Sequence, residues 1–168
     1  ARSRSAACRV DFRRMPHKPK LLAGLLLAAG GSTRLGSPKQ LIVWRSKPLI
    51  AHAVEQCLAV CDAGVVVVTG AHADVIAASL RAYPVELVHN PDWRSGVGKS
   101  LAGGVRVLRG RGATGVLITL CDQPLVLEND LLRLADAWRH APHIPAAARY
   151  HGAVGVPAIF PSTYFEQL

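Results

Sequence analysis

A chain of 168 residues, half of them hydrophobic and few of them aromatic, has the length for one domain with a real buried core, of soluble globular α/β class. Its net charge of +9 invites a nucleic-acid reading, but residues 1–20 alone hold seven Arg or Lys (Arg2, Arg4, Arg9, Arg13, Arg14, Lys18 and Lys20) against Asp11. The other 148 residues carry only +3 and no basic stripe interleaved with aromatics, which excludes a nucleic-acid surface there and leaves an excess suited to polyanionic phosphates.

In chain order, residues 1–20 read as a disordered basic tail, or as an upstream remnant if Met15 is the natural start. Leu21–Leu27 is a continuous aliphatic run, the pattern of a strand buried on both faces. Basic residues followed by Leu21–Ala29 imitate a secretory signal. The run is nevertheless too short to span a bilayer and leads straight into Gly30-Gly31-Ser32-Thr33-Arg34. A polar, glycine-rich loop occupies Ala28 to Lys39, and Lys47-Pro48 opens a predicted helix through about Cys61. Gly64–Thr69 is a β-branched strand, Ala73–Ala82 a helix, Pro84–Val88 a short strand and His89–Gly98 a loop. Lys99–Leu108 reads as a helix, Gly115–Leu120 as a second buried strand, and Glu128–His140 as an amphipathic helix. Ile144–Ala148 and Val154–Phe160 are expected strands, and Pro161–Leu168 the start of a helix.

The alternation predicts an α/β fold with a doubly wound, mostly parallel sheet, a Rossmann-like arrangement in residues 21–168. Ligands of such sheets bind beyond the C-terminal ends of the strands, where both the Leu27–Lys39 loop and Asp122 fall. The four cysteines make neither a CxxC pair nor a disulfide framework. Cys57 and Cys61 share a helix face as buried free thiols, implying a reducing, cytoplasmic setting with no membrane partner. The seven histidines form no metal-ligand spacing.

The loop Leu27-Ala28-Ala29-Gly30-Gly31-Ser32-Thr33-Arg34-Leu35-Gly36-Ser37-Pro38-Lys39 has the composition of an anion nest. Small residues let backbone N–H groups approach phosphate oxygens. Arg34 can grip such oxygens with two parallel bonds, and Lys39 acts as a point charge. The competing reading is a surface loop with two solvated cations. The dinucleotide fingerprint G-x-G-x-x-G does not match the loop, and Gly98-Lys99-Ser100 lacks the first glycine of a Walker A motif, Trp93 standing in its place. Asp122 ends the strand Gly115–Leu120, with Pro124 preventing continuation. It can cap the following helix or bind Mg²⁺, which prefers carboxylate and phosphate oxygens; beside the loop, metal binding is the stronger reading.

Together LAAGGSTRLGSPKQL, NPDWRSGVGKSLAGGV (Asn90–Val105), CDQPLV (Cys121–Val126) and GVPAIFP (Gly155–Pro161) resemble the molybdenum cofactor nucleotidyltransferase family, the MobA-like NTP transferases. The resemblance runs from about Leu21 to Leu168. LAAG and DQP are similar to the cytidylyltransferase branch, whereas the guanylyltransferase branch usually shows LAGG; Ala29 stands at the discriminating position.

The resemblance implies that Leu27, Ala28 and Ala29 contact the nucleotide, with Gly30, Gly31 and Arg34 around the phosphates and Lys39 on the triphosphate. It further implies nucleotide contacts at Thr69 and Asn90, Mg²⁺ on Asp122, and an acceptor side that includes Ser100 and the loop Asn90–Gly98. Trp93 is equally well a packing residue under that loop. Family members continue for a few dozen residues with a further acidic segment that helps hold the metal, and no counterpart follows Leu168.

The expected reaction is transfer of CMP from CTP to molybdenum-bearing molybdopterin, a molybdenum hydroxylase receiving the product. A guanylyltransferase using GTP, a sugar-phosphate nucleotidyltransferase and a non-catalytic nucleotide or pterin-binding module are the competing readings.

Overall fold

The computed structural model describes residues 20–32 and 36–168. Residues 1–19 of the basic tail and Thr33, Arg34 and Leu35 lie outside the described residues.

Six strands form one sheet in the order β5-β4-β1-β6-β8-β7. Strand β1 (Leu22–Leu27) is central, parallel to β4 (Val65–Thr69) on one side and β6 (Gly115–Leu120) on the other. Strand β5 (Glu86–His89) adds parallel to β4 at one edge. Strand β8 (Ala153–Pro161) runs antiparallel to β6, and β7 (Ala146–Tyr150) antiparallel to β8. Because both β6 and β7 oppose β8, they point the same way. The ends of β1, β4, β6 and β7 therefore share one edge of the sheet.

The aliphatic runs are buried because helices cover both faces. Alternate residues of β1 serve alternate faces. Leu26 packs with Ile50, Val54 and Cys57 of α1 (Leu49–Val60) and Ile76 of α2 (Ala73–Ser79). Leu25 packs with Val105 and Leu108 of α3 (Val97–Arg109). Leu22 joins Val60, Leu131, Ala135 and Trp138, the last three from α4 (Glu128–His140). Helix α3 lies so close that a Cβ on Gly104 would stand 2.3 Å from Leu25 Cδ1.

Several expected boundaries move. Lys47-Pro48 forms strand β3, paired antiparallel with β2 (Val43–Trp44), and the first helix starts directly after it at Leu49, with Pro48 as its N-cap. Arg45 and Ser46 adopt positive φ (48° and 68°) at that hairpin's turn, without the glycine or asparagine that would signal it. Helix α3 begins at Val97, two residues earlier than expected, and α2 ends at Ser79. After Pro161 only a 3₁₀ turn, Ser162–Tyr164, forms instead of an α-helix. Gly98-Lys99-Ser100 lies inside α3, preceded by the 3₁₀ turn Trp93–Ser95 rather than a strand, so a P-loop is excluded.

Candidate active site

Where β1 ends, Ala28 N–H still donates to Val68 O at 2.8 Å, and Ala71 N–H donates to Ala29 O at 3.2 Å. The chain then leaves the sheet and is held by a residue from the far end of the loop. Gln40, in the 3₁₀ turn Lys39–Leu41, is 1% exposed. Its Nε2 donates to Ala28 O at 2.9 Å and Gly30 O at 2.8 Å. Ser32 Oγ donates to Gln40 Oε1 at 3.3 Å and accepts from Lys39 N–H at 2.9 Å. Every polar atom of the Gln40 side chain is thus satisfied, as burial requires. The two ends of the loop are pinned to each other.

Trp93 forms a second brace. A Cβ on Gly31 would stand 2.6 Å from its ring, and a Cβ on Gly70 would meet the Ala29 carbonyl at 2.6 Å and Trp93 at 2.7 Å. Only glycine permits this approach. Arg94 in turn stacks on Trp93, its guanidinium 4.6 Å from the ring centroid.

Lys39 Nζ and an Asp122 carboxylate oxygen meet at 2.5 Å, the two side chains 36% and 34% exposed. Asp122 follows β6 and lies well before α4, whose first turn is capped instead by Asp130 accepting from Leu127 N–H at 3.0 Å. It is therefore not the cap of α4. Beside the pair opens a cavity of about 210 Å³ lined by Leu27, Ala28, Ala29, Gly30, Lys39, Gln40, Trp93, Gly96, Val97, Ser100 and Leu120–Asp122. The N-terminus of α3 forms part of its wall and carries no side-chain cap. Its free N–H groups and dipole favour an anion there.

A larger cavity, about 700 Å³, opens between α4 and β7. Asp122 belongs to both cavities. Gln123 Nε2 and Tyr150 Oη donate to the Val156 carbonyl, at 2.9 and 3.2 Å. Those bonds join the segment after β6 to the Gly155-Val156-Pro157 stretch.

Of the residues singled out in the sequence, Leu27, Ala28, Ala29, Gly30, Lys39, Ser100 and Asp122 line one cavity. Gly31 packs beneath Trp93 instead. Thr69 is 2% exposed and Asn90 9%, and neither lines the cavity. Asn90 reaches it indirectly, through Nδ2 donating to Ser100 Oγ at 2.8 Å, while Thr69 O accepts from Asn90 N–H at 2.9 Å. Arg34 lies outside the described residues. Gln40 was missed; its signal was an uncharged polar side chain placed directly after Lys39 and before the apolar Leu41-Ile42-Val43-Trp44. Cys57 and Cys121 are buried free thiols, both pushed up to about 11 by burial, and Cys61 is raised by the same cause.

No group of three or more His, Cys, Asp or Glu side chains that could cage a metal occurs among the described residues. A single carboxylate beside a phosphate site still suits Mg²⁺, which binds through one or two carboxylates and substrate phosphates. Among the described residues no helix is long and apolar enough to cross a membrane.

Residues 24–168 match the MobA-like NTP transferase domain. Nicotine blue oxidoreductase of Paenarthrobacter nicotinovorans is 38% identical over 104 residues, 61% of this chain and 50% of that protein. A protein of Rhodopirellula baltica named "Probable molybdenum cofactor guanylyltransferase" is 32% identical over 137 residues, 80% of this chain and 64% of its own. The chain thus spans about half to two thirds of the length of these curated relatives. The crystal structure of Rv0371c from Mycobacterium tuberculosis superposes with a TM-score of 0.76 at 28% identity, covering 88% of this chain and 75% of that one. A second structure of Rv0371c is a manganese complex, with a TM-score of 0.69 at 27% identity over 88% of this chain and 74% of that one.

Proposed function

The chain belongs to the MobA-like NTP transferase family, and from that premise we propose that it is a Mg²⁺-dependent nucleotidyltransferase moving CMP from CTP to molybdenum-molybdopterin. The observation that carries this reading is the meeting of Lys39 and Asp122 at the mouth of a cavity floored by Leu27–Gly30. A space of about 210 Å³ lies beside backbone donors, the Lys39 ammonium and a carboxylate able to take a metal.

In the proposed reaction an oxygen of the acceptor's phosphate forms a bond to the α-phosphorus of the NTP. The α-phosphorus–oxygen bond to the β-phosphate breaks, and pyrophosphate leaves. No side chain need become covalently attached. The residues work by alignment and by neutralising charge that grows on the α-phosphate and the leaving group. Backbone around Ala28–Gly30 and the N-terminus of α3 receive phosphate oxygens, and Lys39 balances the departing pyrophosphate. Asp122 would hold Mg²⁺, which supplies Lewis-acid polarisation of the phosphates. Gln40 and Trp93 keep the loop shaped for this task.

Ala29 favours CTP, whereas the R. baltica relative is named a guanylyltransferase, so the choice of base is the open variable. The free thiols support a cytoplasmic setting, and a molybdenum hydroxylase is the proposed recipient of the product.

Calorimetric titration of CTP and GTP with and without Mg²⁺ tests the proposal. The expected result is tighter CTP than GTP binding that needs Mg²⁺. Lys39→Ala should weaken it by about 10–100-fold, the worth of a charge-assisted contact. Asp122→Asn should lower pyrophosphate release by about 10³-fold or more with the fold retained. A preference for GTP moves the chain to the sister branch. Binding of neither NTP, or an active Asp122→Asn, overturns the reading.

A further inference from the structure

As β1 runs out into the glycine-rich loop, the carbonyls of Ala28 to Gly31 are taken up one after another. Gln40 Nε2 takes those of Ala28 and Gly30, at 2.9 and 2.8 Å. The other two go to the connection between β4 and α2, where Ala71 N–H donates to Ala29 O and His72 Nε2 donates to Gly31 O, each at 3.2 Å. A carbonyl oxygen can only accept, so Nε2 is the ring nitrogen that carries the proton. In a planar trans peptide the C=O of one residue and the N–H of the next point in opposite directions. Strands β4 and β6 flank β1 on opposite sides. Peptides whose carbonyls are drawn to the β4 side therefore turn the N–H groups of Gly30 and Ser32 toward the side where β6 delivers Asp122. Neither N–H meets a backbone acceptor among the described residues. Ser32 stands at a φ of 49°, the left-handed conformation that anion nests use.

Resting on the nucleotidyltransferase reading, we propose that His72 is a positioning residue for the triphosphate: it holds the Gly31–Ser32 peptide so that the Ser32 N–H faces the phosphates. The corresponding bond at Ala29 O comes from backbone and survives any side chain at position 71, whereas the bond at Gly31 O depends on the imidazole. The base of that side chain is fixed. His72 is the N-cap of α2, and its carbonyl accepts from the N–H of Ile76, which is fully buried in the core beneath the helix, at 3.1 Å. Gly31 itself is bounded by Trp93 and Ala71, which a Cβ there would meet at 2.6 and 3.6 Å. Its backbone nonetheless lacks the steric restraint of a Cβ, so the peptide after it needs a hydrogen bond to keep its orientation. Without the imidazole the Gly31 carbonyl is free to turn to water, and the Ser32 N–H turns with it. The effect falls on phosphate and not on the base, so it is the same for every triphosphate.

The test measures binding of inorganic tripolyphosphate, CTP and GTP to the full chain in Mg²⁺ by calorimetry, for the wild type, His72→Phe and His72→Gln. Phenylalanine keeps a ring and offers no donor, whereas the glutamine amide can donate as Nε2 does. His72→Phe should weaken all three ligands by the same factor, about 3–10-fold, and His72→Gln should recover most of that loss. Thermal unfolding of the same variants accompanies the titrations. A hydrogen bond that served only to start α2 would lower the His72→Phe midpoint and leave tripolyphosphate affinity unchanged, which would overturn the proposal. A loss that His72→Gln does not recover, or one confined to a single base, would do the same. Failure of the wild type to bind tripolyphosphate overturns it outright. If tripolyphosphate follows the expected pattern while neither NTP binds, the proposed function fails and the assignment of His72 stands.

Discussion

Gln40 fixes the glycine-rich loop through atoms that a sequence motif does not record. Its amide is worth more than its two hydrogen bonds, because removing it strands the buried carbonyl of Ala28 and frees that of Gly30. Gln40→Ala is expected to lower stability by about 1–3 kcal/mol and to weaken NTP binding, read by urea unfolding and calorimetry. Gln40→Glu should be worse, since a carboxylate cannot donate to either carbonyl and places negative charge beside the phosphates. Trp93 gives a second residue-scale prediction. Gly31→Ala should destabilise the wild type, its Cβ colliding with the ring at 2.6 Å, yet be nearly silent in a Trp93→Ala background. A double-mutant cycle measured by thermal unfolding checks it, and additive losses would refute direct contact. Asp122 drew notice in the sequence because charge at a strand end has a chemical reason to be there, and Lys39 because it closes a glycine-rich loop. Gln40 did not, because its importance lies in two carbonyls that only the folded loop brings within reach.

At the scale of elements, helix α4 depends on Asp130, whose carboxylate accepts from Leu127 N–H at the helix start. That bond, and then Arg133, hold the Asp130 carboxyl below its usual range. The contribution is complete above the ordinary carboxylate pKa and is lost as pH falls through the lower folded value. Asp130→Asn is expected to cost about 0.5–1 kcal/mol at neutral pH and to remove that part of the acid sensitivity, measured by urea midpoints from pH 7 to 3. The long elements were readable from pattern alone: Gly115–Leu120 and Glu128–His140 have the expected bounds. Short ones were not. The β2–β3 hairpin pairs only two residues from each strand, too few for period-two alternation to show, and Pro48 both ends β3 and stands at the N-cap of α1. Pro161–Leu168 tightens into a 3₁₀ turn, with Phe165 packing back onto the α3 side of the sheet.

For the whole molecule, the sheet's parallel centre followed from unbroken aliphatic strands, and the turn to antiparallel at β8 and β7 could not be read from them. Composition says that a strand is buried and leaves its direction to the connections around it. The thiols make the global prediction. Cys57 and Cys121 ionise near 11 rather than near 9 because the core cannot solvate a thiolate. The folded chain therefore holds protons that the unfolded chain releases, and stability is intact below the ordinary thiol value. It should fall above about pH 9, by up to about 1.4 kcal/mol per pH unit for each such thiol. Urea midpoints at pH 8 and 10.5 check this, and Cys121→Ala should flatten the decline. Midpoints independent of pH would show that the thiols are solvated.

The Lys39–Asp122 contact joins residues 83 positions apart and carries a consequence for energetics. A cation arriving alone at Asp122 must compete with the lysine already there. In the proposed reaction triphosphate would draw the ammonium toward itself and leave the carboxylate to the metal, so each ligand would raise the other's affinity by the same factor. Such heterotropic coupling would leave Mn²⁺ weakly bound by the protein alone. It would also make Lys39→Met, which destroys the competitor, bind the bare ion more tightly than the wild type does.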